Sequence, residues 1–339
     1  MYNKLMVIVI IVALVAGGLF AQKNADLNWF GYIRSAYSYS IVDEGDNTNE
    51  FKVLLTTLGL MANINDYSQV FMFAYFDASA LTGASEASGG LMTNSSKFAS
   101  ILDAEIRFKP VKGLQLTMGQ FVTPFATEHL QSASKIDFVN RGYVVQNSPA
   151  YRDVGAYLKY THDIFKLYGG LVNGSGMNQR DANNHKNIIA RAEVKPFDGL
   201  FISGATSIGK DNNPIDDDAL DRNFYAANVS YKIKGFFATA EASIQDYDGD
   251  NITAMFAHVF YDFPVDCKVV QTVTPAFRYD FIDPPADNDK IDRMTFGLTL
   301  NFDKIKWLSH FRVNYEIINS ESSFDPPDNL IAEFQMRFD

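Results

Sequence analysis

Apolar and polar side chains alternate with a period of two along most of the chain beyond residue 26, in stretches rich in Phe, Tyr, Val, Ile and Thr and bounded by Gly, Asn, Asp and Pro. The pattern predicts sixteen strands, at 27–40, 51–65, 69–81, 98–109, 114–121, 152–162, 165–172, 187–196, 200–209, 223–233, 236–246, 252–262, 267–281, 291–302, 308–318 and 329–338. Their connections sort strictly by parity. Tight ones fall at 66–68, 110–113, 163–164, 197–199, 234–235, 263–266 and 303–307, and long ones near 41–50, 82–97, 122–151, 173–186, 210–222, 247–251, 282–290 and 319–328. A soluble sandwich has no reason to sort its loops this way, whereas a transmembrane barrel has short turns on one side and long loops on the other.

The two faces of single strands carry the same message. Leu102, Ala104, Ile106 and Phe108 alternate with Asp103, Glu105, Arg107 and Lys109; Ile188, Ala190, Ala192 and Val194 with Ile189, Arg191, Glu193 and Lys195; Phe311, Val313, Tyr315 and Ile317 with His310, Arg312, Asn314 and Glu316. A face so charged cannot line a dry core, because unpaired buried charge is too costly. In a barrel it meets a wet lumen while the apolar face meets hydrocarbon. The expected fold is therefore all-β, a 16-stranded antiparallel transmembrane β-barrel. It closes with a strand that sets Ala332, Phe334, Met336 and Phe338 on one face. Sixteen strands leave a water-filled interior, so pore formation is the expected activity.

The N-terminus departs from this pattern. Lys4 precedes a nearly unbroken apolar run from Leu5 to Phe20, with small residues at Gly17, Gly18 and Ala21. These are the parts of a secretory signal, expected to be cleaved after residue 21 and to leave 22–339 as the barrel. Export places the protein in the outer membrane of a Gram-negative bacterium, with lipid and lipopolysaccharide as surroundings. The net charge of -11 argues against nucleic acid, and the single Cys267, read as a small apolar residue at a strand start, excludes an intrachain disulfide.

The longest connection, 122–151, contains Phe125, Leu130, Ile136, Phe138 and Val139, more apolar surface than a solvated loop needs. It is expected to pack against the inner wall. The runs GQFVTPFATEHL (119–130), IDFVNR (136–141) and YRDVGAYL (151–158), with YGGLVNGSG (168–176), NIIARAEVKPF (187–197) and TPAFRYDFID (274–283), resemble the phosphate-selective porins O and P of Gram-negative outer membranes. That resemblance covers most of the chain. It implies a homotrimer of sixteen-stranded barrels, each narrowed by an inward-folded third loop and passing small solutes or ions, including anions such as phosphate.

Departures from that family bear on selectivity. The third loop offers Lys135, Arg141 and Arg152 as basic constriction candidates against Glu128, Asp137 and Asp153. Loops 41–50, 210–222, 282–290 and 319–328 hold fifteen acidic residues against Lys210, Arg222 and Lys290, and an acidic mouth repels anions. Phosphate specificity is therefore not carried over with the architecture. Constriction candidates are Glu128, Lys135, Asp137, Arg141 and Arg152; the lumen wall offers Arg34, Arg107, Arg191, Arg278, Arg312 and Arg337, which either pair along the strands or face the acids of the loop. Tyr32, Tyr157 and Tyr168 also fall on lumen faces, too few for an aromatic track.

Other chemistry finds little footing. The histidines at 129, 162, 185, 258 and 310 are scattered, and no nucleophile-elbow, zincin or P-loop pattern appears, so neither catalysis nor a cofactor is expected. Asp216, Asp217, Asp218 and the DYDGDN run at 246–251 read as solvated turns rather than cation sites. The alternative to a channel is a barrel of another class, an enzyme or an adhesin-like surface protein.

Overall fold

The computed structural model describes residues 25–42, 45–77, 99–213, 219–284, 290–321 and 326–338. The expected signal at 1–21, the cluster Asp216–Asp218 and the connection at 82–97 lie outside these residues. Strands β1 (Asp26–Ile41), β2 (Thr48–Asn63), β3 (Ser68–Phe76), β4 (Ala99–Val111), β5 (Leu114–Val122), β6 (Arg152–Thr161), β7 (Phe165–Val172) and β8 (Asn187–Val194) make the first half. The second half is β9 (Leu200–Ile208), β10 (Arg222–Ile233), β11 (Phe236–Tyr247), β12 (Asp250–Tyr261), β13 (Thr272–Asp283), β14 (Ile291–Asn301), β15 (Ser309–Ser320) and β16 (Asp328–Phe338). Each strand pairs antiparallel with its neighbours, and β16 returns to β1 in the register Gly31↔Phe338 through Ile41↔Asp328. The sixteen-stranded sheet is thus closed, which satisfies every strand edge internally.

Alternation sets the two faces. Ile33, Ile106, Met118, Val194, Leu298 and Met336 are exposed on the outside, while Arg34, Glu105, Thr117, Glu193, Thr299 and Gln335 are buried inside. Among the described residues no helix is long and apolar enough to cross a membrane. The crossing elements are the strands.

Three local expectations are corrected. Leu102 belongs to the inner face, because the β3–β4 register jumps from Phe73↔Asp103 to Ala74↔Ile101. That β-bulge leaves Leu102 without a partner, turns it inward beside Asp103 and exposes Ile101 instead. The connection at 247–251 is short rather than long: Tyr247 pairs with Asp250 around Asp248 (φ 53°) and Gly249 (φ 93°), the left-handed pair that an Asp-Gly hairpin turn requires. The turn after β12 is longer than 263–266. After a two-residue pairing of Phe263 and Pro264 with β13 it runs to Gln271, closed by Val265 N–H donating to Gln271 O at 3.1 Å, so Cys267 is an exposed turn residue and not a strand start.

Candidate functional site

Segment 123–151 carries two short helices, α1 (Thr127–Leu130) and α2 (Tyr143–Gln146), and one 3₁₀ turn at Ala133–Lys135. So little regular structure leaves many backbone groups without internal partners, and inside a barrel such groups need partners from the wall. The wall supplies them. Arg191 donates to Phe125 O at 2.6 Å, Arg312 to Ile136 O at 2.6 Å, Arg34 to Val139 O at 2.8 Å, Arg278 to Asn140 O at 2.9 Å and Arg293 to Arg141 O at 2.8 Å. Acceptors face the segment's N–H groups: Asn314 takes Val139 N–H at 2.6 Å, Asp280 takes Tyr143 N–H at 3.3 Å, and Glu241 takes those of Thr127 and Glu128.

Each clamping arginine is neutralised by a carboxylate. Arg34 and Arg312 share Glu333, Arg278 and Arg293 share Asp280, and Arg191 holds Glu193 at 2.9 Å. Buried charges persist only when paired and hydrogen-bonded in this way. Four of the six wall arginines singled out by sequence (Arg34, Arg191, Arg278 and Arg312) are therefore loop clamps. Arg107 instead pairs with Glu105 at 2.7 Å and lies over the Phe71 ring at 4.2 Å, while Arg337 lines the open space. Arg293, on the polar face of the strand expected at 291–302, completes the clamp.

Apolar packing fixes the segment on one side. Phe125, Ala126, Tyr143 and Val144 join Phe121 of β5 and Val172, Ile189, Phe224, Ala254 and Phe256 of the β7–β12 wall in one cluster. Phe138 sits over Gly297, where a β-carbon would come within 3.3 Å of its ring and 2.8 Å of the Asn314 amide. At the base of the segment His129 is fully buried. Its Nε2–H donates to Tyr151 O at 2.8 Å, and Ser148 lies 3.2 Å from Nδ1. Burial lowers its pKa to about 3, and the positive charges of Arg141, Arg152 and Arg191 push the same way against the carbonyl bond. It is neutral at physiological pH. Read as one of five scattered histidines, it was missed because its partners lie up to 22 residues away.

Among the described residues a chamber of about 1830 Å³ stays open on the opposite side. It is bounded by β1–β4, by the inner faces of β14–β16, by 130–152 and by residues 175–179 of the next long connection. Lys135, Arg141 and Arg152 line it; Glu128 and Asp137 do not. Glu128 accepts Gly142 N–H at 2.8 Å and lies 3.8 Å from Arg278, and Asp137 faces His258 at 3.4 Å and Lys306 at 4.0 Å. Arg152 forms a two-pronged pair with Asp103 at 2.8 and 3.1 Å, and Arg141 donates to Glu128 O and Gln131 O. Eight basic and five acidic side chains line the chamber, so its charge is opposite in sign to that of the whole chain.

The family model described as putative beta-barrel porin-2, OmpL-like, matches residues 27–338. The chain belongs to this porin family. That places the resemblance at the level of outer-membrane porins rather than the phosphate-selective porins O and P. No curated protein matches this porin. Among solved structures it is similar to the outer membrane channel DcaP of Acinetobacter baumannii, with a TM-score of 0.65 and 16% identity over 93% of this chain and 98% of that one. It is also similar to the anion-selective porin from Comamonas acidovorans, at 0.63 and 12% over 93% and 100%. The trimer form of OmpT, an outer membrane protein of Vibrio cholerae, gives 0.62 and 12% over 93% and 100%. Identities this low show the fold alone.

Proposed function

We propose that this porin is an outer-membrane diffusion channel whose passage is the off-centre chamber, with 123–151 as a fixed partition that narrows the lumen. The observation that carries the reading is the clamp: five arginines hold the segment's carbonyls, and the open space lies along β1–β4 and the adjoining β14–β16. Lys135, Arg141 and Arg152 are the charges a solute meets at the narrow level. Glu128 and Asp137 act as struts turned into the wall. The basic lining favours anions, phosphate among them, inside an acidic mouth. Low-dielectric walls strengthen such charges relative to those at the open rim. The working form on this reading is a homotrimer of residues 22–339 after removal of the signal at 1–21, embedded among lipid and lipopolysaccharide.

The reversal potential of purified protein in a planar bilayer under a KCl gradient tests the proposal. Its sign should indicate anion preference, and Lys135→Gln should move it toward cations, more so at low salt where screening is weak. Glu128→Gln with Asp137→Asn should move it much less. A cation-selective channel whose selectivity follows the acidic pair would overturn the assignment, and a protein without conductance would mark a barrel of another class.

A further inference from the structure

The β1–β4 side of the chamber is lined with rings. Phe30 stacks on Phe71 and Phe73 at centroid distances of 5.4 and 5.6 Å, Tyr32 meets Phe73 at 6.1 Å, and Tyr75 and the bulged Leu102 complete the patch. All of these side chains line the open space rather than the lipid face. Ala133 and Met177 touch the edges of the patch. Tyr32, Phe73, Tyr75 and Leu102 are buried against one another, while Phe30 and Phe71 keep part of their ring surface open to the chamber. Apolar surface beside a water-filled path is costly to hydrate, so a solute that covers it gains what lipid-facing residues gain from hydrocarbon.

Cations lie close to the rings: Arg34 is two residues from Tyr32 on the same inner face of β1, Arg152 pairs with Asp103, the cross-strand partner of Phe73, and Arg141 lines the same open space. Arg141 and Arg152 also lie against Tyr151, 5.3 and 4.8 Å from its centroid. Their charges differ in availability. Asp103 neutralises Arg152 and Glu333 neutralises Arg34, whereas among the described residues no carboxylate lies within ion-pair distance of Arg141 or of the exposed Lys135. A chamber lined by partly open rings together with cations that no carboxylate neutralises fits one chemistry, a flat apolar body carrying a negative group.

We infer that the chamber holds a binding site for small aromatic carboxylates, with the ring against Phe30, Tyr32, Phe71 and Phe73 and the carboxylate toward Arg141 and Lys135. A simple anion would use only the second half of this site and a neutral ring only the first, so affinity requires both. The inference rests on the channel reading above and adds a solute class to it.

Benzoate is the probe, measured by its reduction of KCl conductance through single channels in a planar bilayer, with acetate, benzyl alcohol and glucose as comparisons. Benzoate should reduce the current saturably, half-saturating at a concentration about tenfold or more below that of acetate. Benzyl alcohol and glucose should have little effect. Tyr32→Ala and Arg141→Gln should each raise the half-saturating benzoate concentration about fivefold or more in channels that still open. The wild-type comparison needs no variant to fold. Equal action of benzoate and acetate removes the ring wall from the account, and equal action of benzoate and glucose removes the anion specificity; either overturns the inference. A channel that conducts KCl and ignores benzoate overturns it while leaving the channel reading intact. A protein that conducts nothing overturns both.

Discussion

Glutamine at position 333 perturbs the clamp at its most connected point. Glu333 binds Arg34 Nε at 2.7 Å and Arg312 Nη2 at 2.5 Å, lies 3.3 Å from His310 Nε2, and is completely buried. The same two guanidinium groups hold the carbonyls of Val139 and Ile136. Glu333→Gln removes the negative charge, turns an amide NH₂ toward one guanidinium and leaves two buried cations uncompensated. Removing one partner of a buried ion pair costs about 3–5 kcal/mol. At about 1.4 kcal/mol per power of ten, docking of 136–140 should weaken by roughly two to nearly four powers of ten. Barrel pairing between β16 and β1 is backbone-mediated over eleven residue pairs and should persist. Single-channel recording should therefore show a larger, noisier open current as the partition swings free, and the midpoint of thermal unfolding in detergent should fall. An assembled Glu333→Gln channel with unchanged conductance, noise and melting would refute the clamp.

Two further outcomes follow from the same structure. Ile106 and Met118 are cross-strand partners on the outer face, 62% and 57% exposed, so Ile106→Arg and Met118→Arg should each cost roughly 2–4 kcal/mol if they sit near mid-bilayer, and should slow folding into liposomes. Ser38→Arg on the chamber wall should fold, and equal behaviour of the two sets would reverse the facing. His129 supplies a pH test: with a pKa of about 3 when docked against 6.5 when released, the docked loop binds fewer protons, so docking is at full strength above pH 6.5 and weakens as pH falls toward 3. At pH 4 the loss is roughly 3 kcal/mol. Open-channel noise should rise below about pH 5 in the native protein, and a His129→Gln channel should lack that rise.

Strand number, closure and facing were legible because a period of two leaves a regular trace wherever one face is charged, as in β8 and β15. The trace vanishes in β3, where VFMFAYF is apolar on both faces, so the inward Phe71, Phe73 and Tyr75 could not be separated from the outward Val70, Met72 and Ala74. Leu102 was misassigned because a bulge breaks the period without changing residue type. Residues 267–270 looked like a strand start because Cys267, Val269 and Val270 are apolar, yet Pro264 and the closure at Val265 and Gln271 make them a turn. The orientation of the loop charges was not legible for another reason. Glu128 and Asp137 read as pore charges by type, but their orientation depends on Gly142, Arg278, His258 and Lys306, all remote or across the barrel.

The central claim is that water and ions pass on the β1–β4 side of the partition and not on the side it fills. Single cysteines introduced in Cys267→Ser protein at Ala133 or Ser38, which line the chamber, and at Ser203 or Ser243, buried at 5% and 2% exposure behind the partition, test it directly. A charged methanethiosulfonate reagent is added during single-channel recording. The account predicts a stepwise change in current at positions 133 and 38 and none at 203 and 243. A current that responds at 203 and 243 but not at 133 and 38, or equally at all four, would contradict it.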